Sequence, residues 1–371
     1  MRWRCATFQR AAASERGVGE ISPEPANRLG AMYAKHAKRA LLYIARALGA
    51  FRLSRRLTRH ELRILCYHGF SVGNEFLRLP GMFMRAETFA RRMAILERLG
   101  FPVISLDEAV DRLKAGLIRN CEVVITFDDG WASNLSIAYP ILRAHGFPAA
   151  IYVTTEHLGH GTEVFNVVLH YLFLSSPLRT VTFEGIHPRI DGHYDVQPDV
   201  LPAVHTIIRA AGQYLSLGER QARLGRIAAA LGSDIDTVLQ GDRFRLLTAE
   251  QIGQLSREGV IIGLHTHTHN LPTESAEAMR AEITRNRHAV EAITGKRARH
   301  FCYPSGVHSE QHPEWLSAAG IESATTCEPG LNDSTTDCLL LSRYLDQEDF
   351  SDIEFEASVT GFRYLLRRLL K

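Results

Sequence analysis

Two adjacent carboxylates, Asp128 and Asp129, stand directly after an apolar, largely β-branched run, Val123–Phe127. Such a run predicts a buried strand that carries the carboxylates at its C-terminal end, and Gly130 permits a sharp exit from it. Neighbouring residues on a strand point in opposite directions, so one carboxylate could hold a metal while the other handles a proton. The alternative is a plain turn, because Asp-Gly is a common turn and an Asp often caps the following helix.

Three histidines, His265, His267 and His269, follow a second short apolar run at residues 259–264. In a helical turn His265 and His269 share a face and can bind one metal, whereas in an extended chain all three share a face. Either geometry suits Zn²⁺ or a similar ion. A polar loop that happens to be rich in histidine is the weaker alternative, since three imidazoles this close are hard to explain as packing.

Together the two segments resemble those of the polysaccharide deacetylases, the family with NodB homology (carbohydrate esterase family four), and in particular the exopolysaccharide-associated type. The family's first motif, T-F-D-D-G, is matched by residues 126–130, and its second, H-[ST]-x-x-H, by residues 265–269. The resemblance runs from about Leu62 to Leu345 and is interrupted by a long insertion. It implies a distorted (β/α) barrel, a divalent metal that is often zinc, and hydrolysis of N-acetyl groups on a polysaccharide or a lipid-linked oligosaccharide.

The resemblance also implies the roles of individual residues. It makes Asp129, His265 and His269 the metal ligands and Asp128 the general base, while His267 falls at a variable position of the motif. Two further roles need residues: binding of the oxyanion and donation of a proton to the leaving amine.

The segment His300–Gly306 resembles the family's third motif, which often reads R-P-P-Y-G or F-A-Y-P-Y-G, but it departs from it twice. Cys302 stands where some members carry Arg, and the loss of that Arg removes a group that would orient the base. Ser305 stands where many members carry Tyr. Its backbone N–H can still serve an oxyanion, because a backbone donor does not depend on the side chain. Ser305 and Tyr303 are therefore the expected oxyanion and substrate residues.

The proton donor is expected at His68, which ends the predicted first strand. The family's usual general acid is a histidine near the C-terminus, and the corresponding position here holds Arg343, which cannot donate a proton near neutral pH. A supporting role for His68 in the core is an equally open alternative. Two other functions also stay open: hydrolysis of a different amide, such as a formamide, and carbohydrate binding without catalysis.

The scaffold follows from the alternation of short apolar strands with amphipathic helices, which predicts an α/β fold, a mainly parallel barrel. Helices are expected at residues 86–99, 106–115, 134–145, 248–258 and 274–294. Ser105, Asn134 and Thr248 are the expected N-cap residues of the helices that start at or after them. Residues 156–245 break this rhythm and are predicted to form a largely helical insertion over the strand ends. Such an insertion often shapes substrate access, and a structural appendage is the alternative.

Composition sets the outer bounds. The chain has 371 residues, enough for one large barrel or two ordinary domains, and its 45% hydrophobic and 23% charged residues are typical of a globular protein. A net charge of +2 gives no field that points to nucleic acid. The six cysteines show no C-x-x-C pair, so reduced thiols are the simpler expectation.

Residues 1–31 are rich in small and polar residues and are predicted to be disordered, with Met32 as an alternative start. Residues 32–60 predict a basic amphipathic helix, and 61–371 the barrel with its insertion. That helix and the basic tail at 362–371 can lie on an anionic membrane surface; a helix packed on the domain is the alternative. No apolar run approaches the ~20 residues of a membrane span, and no signal-peptide core is present. We therefore expect a cytoplasmic protein or one peripheral to the inner membrane.

Overall fold

The computed structural model describes residues 25–158 and 163–369. Its strands, in chain order, are β1 (Arg63–Tyr67), β2 (Gly69–Phe70), β3 (Phe83–Met84), β4 (Val123–Phe127), β5 (Ala150–Val153), β6 (Thr180–Phe183), β7 (Gly192–Asp195), β8 (Ile261–Leu264), β9 (His300–Cys302), β10 (Ser323–Thr325) and β11 (Tyr344–Leu345). Its α-helices are α1 (Pro25–Ala47), α2 (Ala50–Leu57), α3 (Glu75–Arg78), α4 (Ala86–Arg98), α5 (Leu106–Lys114), α6 (Tyr139–His145), α7 (Phe165–Ser175), α8 (Leu201–Tyr214), α9 (Leu217–Ala230), α10 (Ile235–Val238), α11 (Ala249–Arg257), α12 (Ala276–Thr294), α13 (His312–Ala318), α14 (Asp352–Val359) and α15 (Phe362–Leu369). None of the helices within these ranges is long and apolar enough to cross a membrane.

The central sheet contains seven strands in the order β10-β9-β8-β5-β4-β1-β11, and every pair is parallel. Parallel neighbours need crossover connections, which explains the alternation of strands and helices in the sequence. The segment that leads into β11 also touches the opposite edge of the sheet, where Leu341 bridges Thr325 in parallel. Residues 341–345 therefore contact both edges and curl the sheet. This confirms the predicted distorted (β/α) barrel.

The alternation of side chains along each strand decides what reaches the barrel interior. On β4, Ile125 and Phe127 pack with the surrounding helices in the largest apolar cluster. Val124 belongs to a second cluster, which it shares with Ile64 of β1 and Tyr152 of β5. Because the period along a strand is two residues, Asp128 continues the Val124 side of β4.

The insertion packs around a separate apolar cluster, to which Phe83 and Trp131 of the barrel also belong. Helices α7 to α10 and the antiparallel hairpin of β6 and β7 enclose a cluster that includes Phe173, Phe183 and Ile207. The chain then rejoins the barrel beside the end of β4, where the Leu247 N–H donates to the Gly130 carbonyl at 2.7 Å and Leu246 bridges Trp131. The insertion is thus largely helical, as predicted, and it is anchored next to the two aspartates.

The chain before β1 forms two helices where the sequence predicted one. Helix α1 ends at Ala47 and α2 begins at Ala50, with Gly49 between them in the left-handed conformation (φ 81°). Because α1 begins at Pro25, residues 25–31 are helical, whereas the sequence predicted disorder for them. The rest of the predicted disordered segment, residues 1–24, lies outside the described residues.

Two predicted helix caps are confirmed and one is wrong. The side chains of Ser105 and Thr248 accept hydrogen bonds from the third N–H of α5 and α11. Asn134 does not cap the helix that follows it. Its side-chain amide instead donates to the His68 carbonyl at 2.7 Å, and residues 134–138 form a π-helical turn before α6.

Candidate active site

The predicted site residues meet at one end of the barrel. Asp128 and Asp129 follow β4, His68 follows β1, and the histidine run follows β8. Because these strands are parallel, their C-terminal ends lie at the same end of the sheet, where loops can assemble a site.

The turn after β4 separates the two aspartates. Asp129 has φ 71°, a left-handed conformation that is uncommon for a residue with a side chain. Gly130 follows with φ 82°, and a Cβ atom there would lie 2.9 Å from Val153 Cγ1. This tight turn aims Asp128 into the barrel and Asp129 toward the histidines.

Asp129, His265 and His269, here called the metal group, place their ligand atoms together. Asp129 Oδ1 lies 3.4 Å from His265 Nε2 and 3.2 Å from His269 Nε2. Ligands held about 2.0–2.1 Å from a tetrahedral zinc ion are themselves about 3.3 Å apart, so this spacing fits such an ion. One carboxylate and two imidazoles also leave coordination positions for water or substrate. The other oxygen of Asp129 accepts a hydrogen bond from Trp131 Nε1 at 2.9 Å, which fixes the carboxylate.

The orientation of His265 is set by the strand beside it. Its Nδ1 lies 2.8 Å from the Cys302 carbonyl, which can only accept a hydrogen bond. Nδ1 therefore carries a proton, and Nε2 is the nitrogen directed at the metal group. The His265 N–H donates to Asn286 Oδ1 at 2.9 Å, which ties the loop to α12. Metal-binding histidines commonly have such supporting partners.

The histidine run is neither a helical turn nor an extended chain. Thr266 and His269 have φ values of 60° and 57°, so the backbone reverses twice within five residues. As a result His267 points away from the metal group, and its Nδ1 lies 2.9 Å from Thr155 Oγ1. The Glu282 carboxylate accepts hydrogen bonds from the N–H groups of residues 267 and 268 and thereby holds the loop in place.

Asp128 is buried and is held at two points by Arg343. The Nη1–Oδ1 distance is 2.7 Å and the Nη2–Oδ2 distance is 2.8 Å. Burial raises the pKa of Asp128, but the charge and hydrogen bonds of Arg343 outweigh it and hold the pKa below its usual range. The expectation that the base lacks an orienting arginine was therefore wrong. The guanidinium comes from the segment that closes the barrel, where Arg343 Nε also donates to the Thr326 carbonyl at 2.8 Å.

The ionisable groups of the metal group influence one another. Burial raises the pKa of Asp129, yet its hydrogen bonds with the two histidines prevail and lower that pKa well below its usual value. Burial also disfavours the charged form of His265, but nearby negative groups and its hydrogen bond to Asp129 raise its pKa. The lowered pKa of Asp129 thus reflects the histidines that face it, and the raised pKa of His265 reflects the acceptors and negative charge beside it.

Two thiols lie beside Asp128, and only one of them, Cys302, was singled out from the sequence. Cys66 Sγ and Cys302 Sγ are each 3.5 Å from Asp128 Oδ2. Burial raises the pKa of both thiols, so both stay protonated and neutral. Cys302 also lies 3.2 Å from Arg343 Nη2, where a small side chain leaves room for the guanidinium. The two-residue period of β1 was the only sequence signal that could have placed Cys66 on the interior side with Ile64.

His68 lies next to the carboxylate that it was predicted to assist. Its Nε2 is 4.0 Å from Asp128 Oδ2, and its side chain is 21% exposed. It is therefore close to both the buried base and the solvent.

Ser305 and Tyr303, the expected oxyanion and substrate residues, have different surroundings in the turn after β9. Ser305 lies in a short 3₁₀ turn with φ 56°, at the same barrel end as the aspartates. Tyr303 is buried; its hydroxyl donates to the Leu339 carbonyl at 3.0 Å and its N–H to the Thr325 carbonyl at 3.1 Å. Both of its protons are directed at protein carbonyls, so Tyr303 supports the turn, and its role toward a substrate stays a prediction.

The curled parallel barrel and the paired aspartate and histidine motifs at its strand ends define a protein of the NodB type. The chain matches the family model described as polysaccharide deacetylase over residues 119–172 and 220–324. A curated relative named as a polysaccharide deacetylase, YxkH of Bacillus subtilis (strain 168), is 35% identical over 102 residues. That match covers 27% of this chain and 34% of the relative, so the chain spans about a third of the relative's length. Over these segments, which make up less than half of its length, the chain is similar to the polysaccharide deacetylases.

Solved structures agree on the fold. The deacetylase PplD of Streptococcus pyogenes, in complex with acetate, superposes with a TM-score of 0.55 at 15% identity, over 81% of this chain and 98% of that chain. IcaB of Ammonifex degensii superposes with a TM-score of 0.52 at 18% identity, over 81% of this chain and 97% of that chain. At these identities the likeness establishes the NodB-type barrel alone.

Proposed function

We propose that this protein is a metal-dependent hydrolase that removes N-acetyl groups from a polysaccharide or oligosaccharide, by hydrolysis of an amide C–N bond that is not a peptide bond. The observation that carries this proposal is the position of an ionised carboxylate, Asp128, beside the metal group at one barrel end. A metal site with an adjacent base is what the hydrolysis of an unactivated amide requires. The family match supports an acetylated sugar as the substrate.

The proposed cofactor is a divalent cation held by Asp129 Oδ1, His265 Nε2 and His269 Nε2. Zinc is the proposed ion, because it accepts mixed nitrogen and oxygen ligands at the spacing found here. When bound, the ion would polarise the amide carbonyl and lower the pKa of a coordinated water.

Asp128 is the proposed general base, and Arg343 is its positioning residue. A carboxylate oxygen has two acceptor sites, and the two bonds from Arg343 occupy one site on each oxygen. Because the two thiols also face Oδ2, the second site of Oδ1 is the one proposed for the attacking water. The same two bonds keep the carboxylate plane fixed. Asp128 would take the proton of that water as the bond to the acetyl carbon forms.

His68 is the proposed proton donor to the leaving amine, since it lies beside Asp128 and keeps contact with solvent. The Ser305 N–H, in the turn after β9, is proposed to help bind the oxyanion. Loss of the acetyl group leaves a free amine on the sugar, which carries a positive charge near neutral pH.

The direct test is acetate release from chitooligosaccharides and poly-N-acetylglucosamine by purified protein with Zn²⁺ or Co²⁺. Release that stops on chelation and returns with metal would support the proposal. Metal binding without any release would indicate a carbohydrate-binding relative, and formate release from formamides alone would indicate a hydrolase of another amide. Comparing free with lipid-linked oligosaccharide would separate the two forms of substrate.

A further inference from the structure

The exposed apolar side chains of this protein are concentrated on the helices that flank the barrel domain. Of the fourteen large apolar residues that are exposed in the described part of the chain, nine lie on α1, α2, α15 and the link between the first two. Scattered exposed leucines are normal on a soluble protein, but a concentration of this kind marks an interaction surface.

Helix α1 has two apolar faces with different surroundings. Leu42 is buried against Ile353 and Ala357 of α14. Leu41, Ile44 and Leu48 follow the spacing i, i+3, i+7 of a single helical face, and they are 65%, 55% and 81% exposed. The packing on α14 therefore accounts for one face only.

Helices α2 and α15 continue this exposed surface. On α2, Leu53 and Leu57 are exposed one turn apart, while Phe51 is buried. Phe51 stacks against Phe362 of α15 with the ring centroids 5.1 Å apart, so the two helices are in contact. The name terminal-helix surface is used below for the exposed apolar residues Leu41, Ile44, Leu48, Leu53, Leu57, Leu366 and Leu369, with the exposed arginines Arg52, Arg56 and Arg368.

The charge of these helices is one-sided. Together α1, α2 and α15 contain eleven Arg or Lys residues and no Asp or Glu, although the whole chain has a net charge of only +2. Some of the cations have internal partners, such as Lys38 and Arg39 on Glu354. Within the described residues, Arg52 and Arg56 form no ion pair and lie beside the exposed leucines of α2.

We propose that the terminal-helix surface binds an anionic membrane surface, with its leucines in the interface and its arginines on lipid phosphates. Leucine and arginine occupy adjacent exposed positions here, which suits the boundary between acyl chains and headgroups. Tyr33 and Tyr43 are also exposed on α1, and tyrosine is enriched at that boundary. The absence of acidic residues from these helices matches a negatively charged lipid surface.

The position of this surface determines which way the active site faces when the protein is docked on a membrane. Arg55 of α2 donates to the carbonyls of Leu99 and Gly100, and its own carbonyl lies 3.3 Å from Cys121 Sγ, just before β4. Helix α2 therefore covers the N-terminal end of β4, whereas the aspartates follow its C-terminal end. Five strand residues separate these ends by about 16 Å. If the proposed function holds, the docked protein presents its site away from the lipid, toward a polymer that extends from the surface.

Cosedimentation of the full chain with vesicles tests the docking without any substrate. We expect binding to vesicles of phosphatidylcholine mixed with phosphatidylglycerol, little binding to phosphatidylcholine alone, and weaker binding as salt rises. Because each arginine near a lipid surface contributes about fivefold in affinity, the double variant Arg52→Glu/Arg56→Glu should lose at least about 25-fold. The double variant Leu53→Asp/Leu57→Asp should also lose most of the binding.

Matched controls are exposed residues of other faces, with Arg257→Glu/Arg280→Glu for the charge change and Leu77→Asp/Leu178→Asp for the apolar change. These should bind vesicles as the unmodified chain does. Thermal unfolding by circular dichroism reports whether each variant is folded; if the leucine variant is not, the arginine variant alone decides. The proposal would be overturned if the control variants lost vesicle binding equally, or if the unmodified chain did not bind anionic vesicles. It would also be overturned if the chain formed a stable dimer through this surface and did not bind vesicles.

Discussion

The pair formed by Asp128 and Arg343 is the residue-level feature that most distinguishes this site. The sequence motifs predict the carboxylate, and Cys302 stands where some members of the family carry arginine. No motif predicts that Arg343 supplies the guanidinium instead. The two partners are 215 positions apart in the chain. Their contact depends on the closure of the barrel, which no local pattern encodes. The metal group was easier to predict, because its spacing is a property of two short segments.

Substitution of Arg343 by Met should destabilise the protein strongly. It leaves a buried carboxylate without its partner, which typically costs about 3–5 kcal/mol. Urea unfolding should show that loss for Arg343→Met, and the double variant Asp128→Asn/Arg343→Met should recover part of it, because the uncompensated charge is gone. Arg257→Met, on an exposed face, is the control. Additive losses in the double variant would contradict the account of this pair.

The histidines should differ in their effect on metal content. His265→Ala or His269→Ala removes one of three protein ligands and should lower metal occupancy sharply, whereas His267→Ala should have little effect because that side chain bonds Thr155. Elemental analysis of the purified variants measures this. Full metal content in the double variant His265→Ala/His269→Ala would show that the metal group is misassigned.

Replacement of His68 by Ala should leave metal content and fold intact and lower kcat by roughly 10²-fold or more, since the leaving amine loses its acid. The alkaline limb of the pH–rate profile should disappear with it. An unchanged kcat with an unchanged alkaline limb would exclude His68. His308 would then be the next candidate, because His312 accepts from the Ser309 N–H at 2.8 Å and places its other nitrogen 3.2 Å from the Pro272 carbonyl.

At the scale of elements, amphipathic periodicity predicted the helices well and the loops poorly. Helices α4, α5 and α11 lie within a residue or two of the expected bounds, because their caps and apolar stripes are local properties. The turn of the histidine run was not predictable in this way. Its shape depends on Glu282 and Asn286 of α12, which reach it only in the folded barrel.

Glu354 links two elements and gives the fold a measurable pH dependence. It accepts from the Ser351 N–H at 3.1 Å at the start of α14 and pairs with Lys38 of α1 at 3.0 Å. Burial raises its pKa, but these partners outweigh burial and lower the pKa to about 2 from an ordinary 4.5. Because the folded pKa is depressed, this contribution to stability is fully present above the ordinary pKa and is lost as pH falls toward the folded one.

The variant Glu354→Gln should therefore be less stable by about 1–2 kcal/mol near neutral pH, because glutamine keeps the capping bond but loses the charge that pairs with Lys38 and Arg39. The difference from the unmodified chain should shrink as pH falls from 4.5 toward about 2. Urea unfolding of both proteins across this range measures it. A difference that does not change with pH would contradict the assigned role of Glu354.

At the scale of the whole molecule, the regular alternation of strands and helices was enough to predict a parallel barrel with a helical insertion. It did not predict how residues 341–345 would contact both edges of the sheet, since that bridge joins Leu341 to a strand that is itself only three residues long. The terminal helices show a different limit. Packing on the domain and lying on a membrane were alternatives from sequence, yet α1 has one apolar face buried on α14 and another exposed to solvent.

The central claim is that Asp128 and Asp129 divide the chemistry between a base and a metal ligand. Metal content and acetate release from chitooligosaccharide, measured together on Asp128→Asn and Asp129→Asn, test it most directly. We predict that Asp128→Asn keeps its metal and loses about 10²–10⁴-fold in rate, whereas Asp129→Asn loses the metal and the activity together. Equal loss of metal in both variants, or no acetate release by the unmodified protein with its metal bound, would contradict the account.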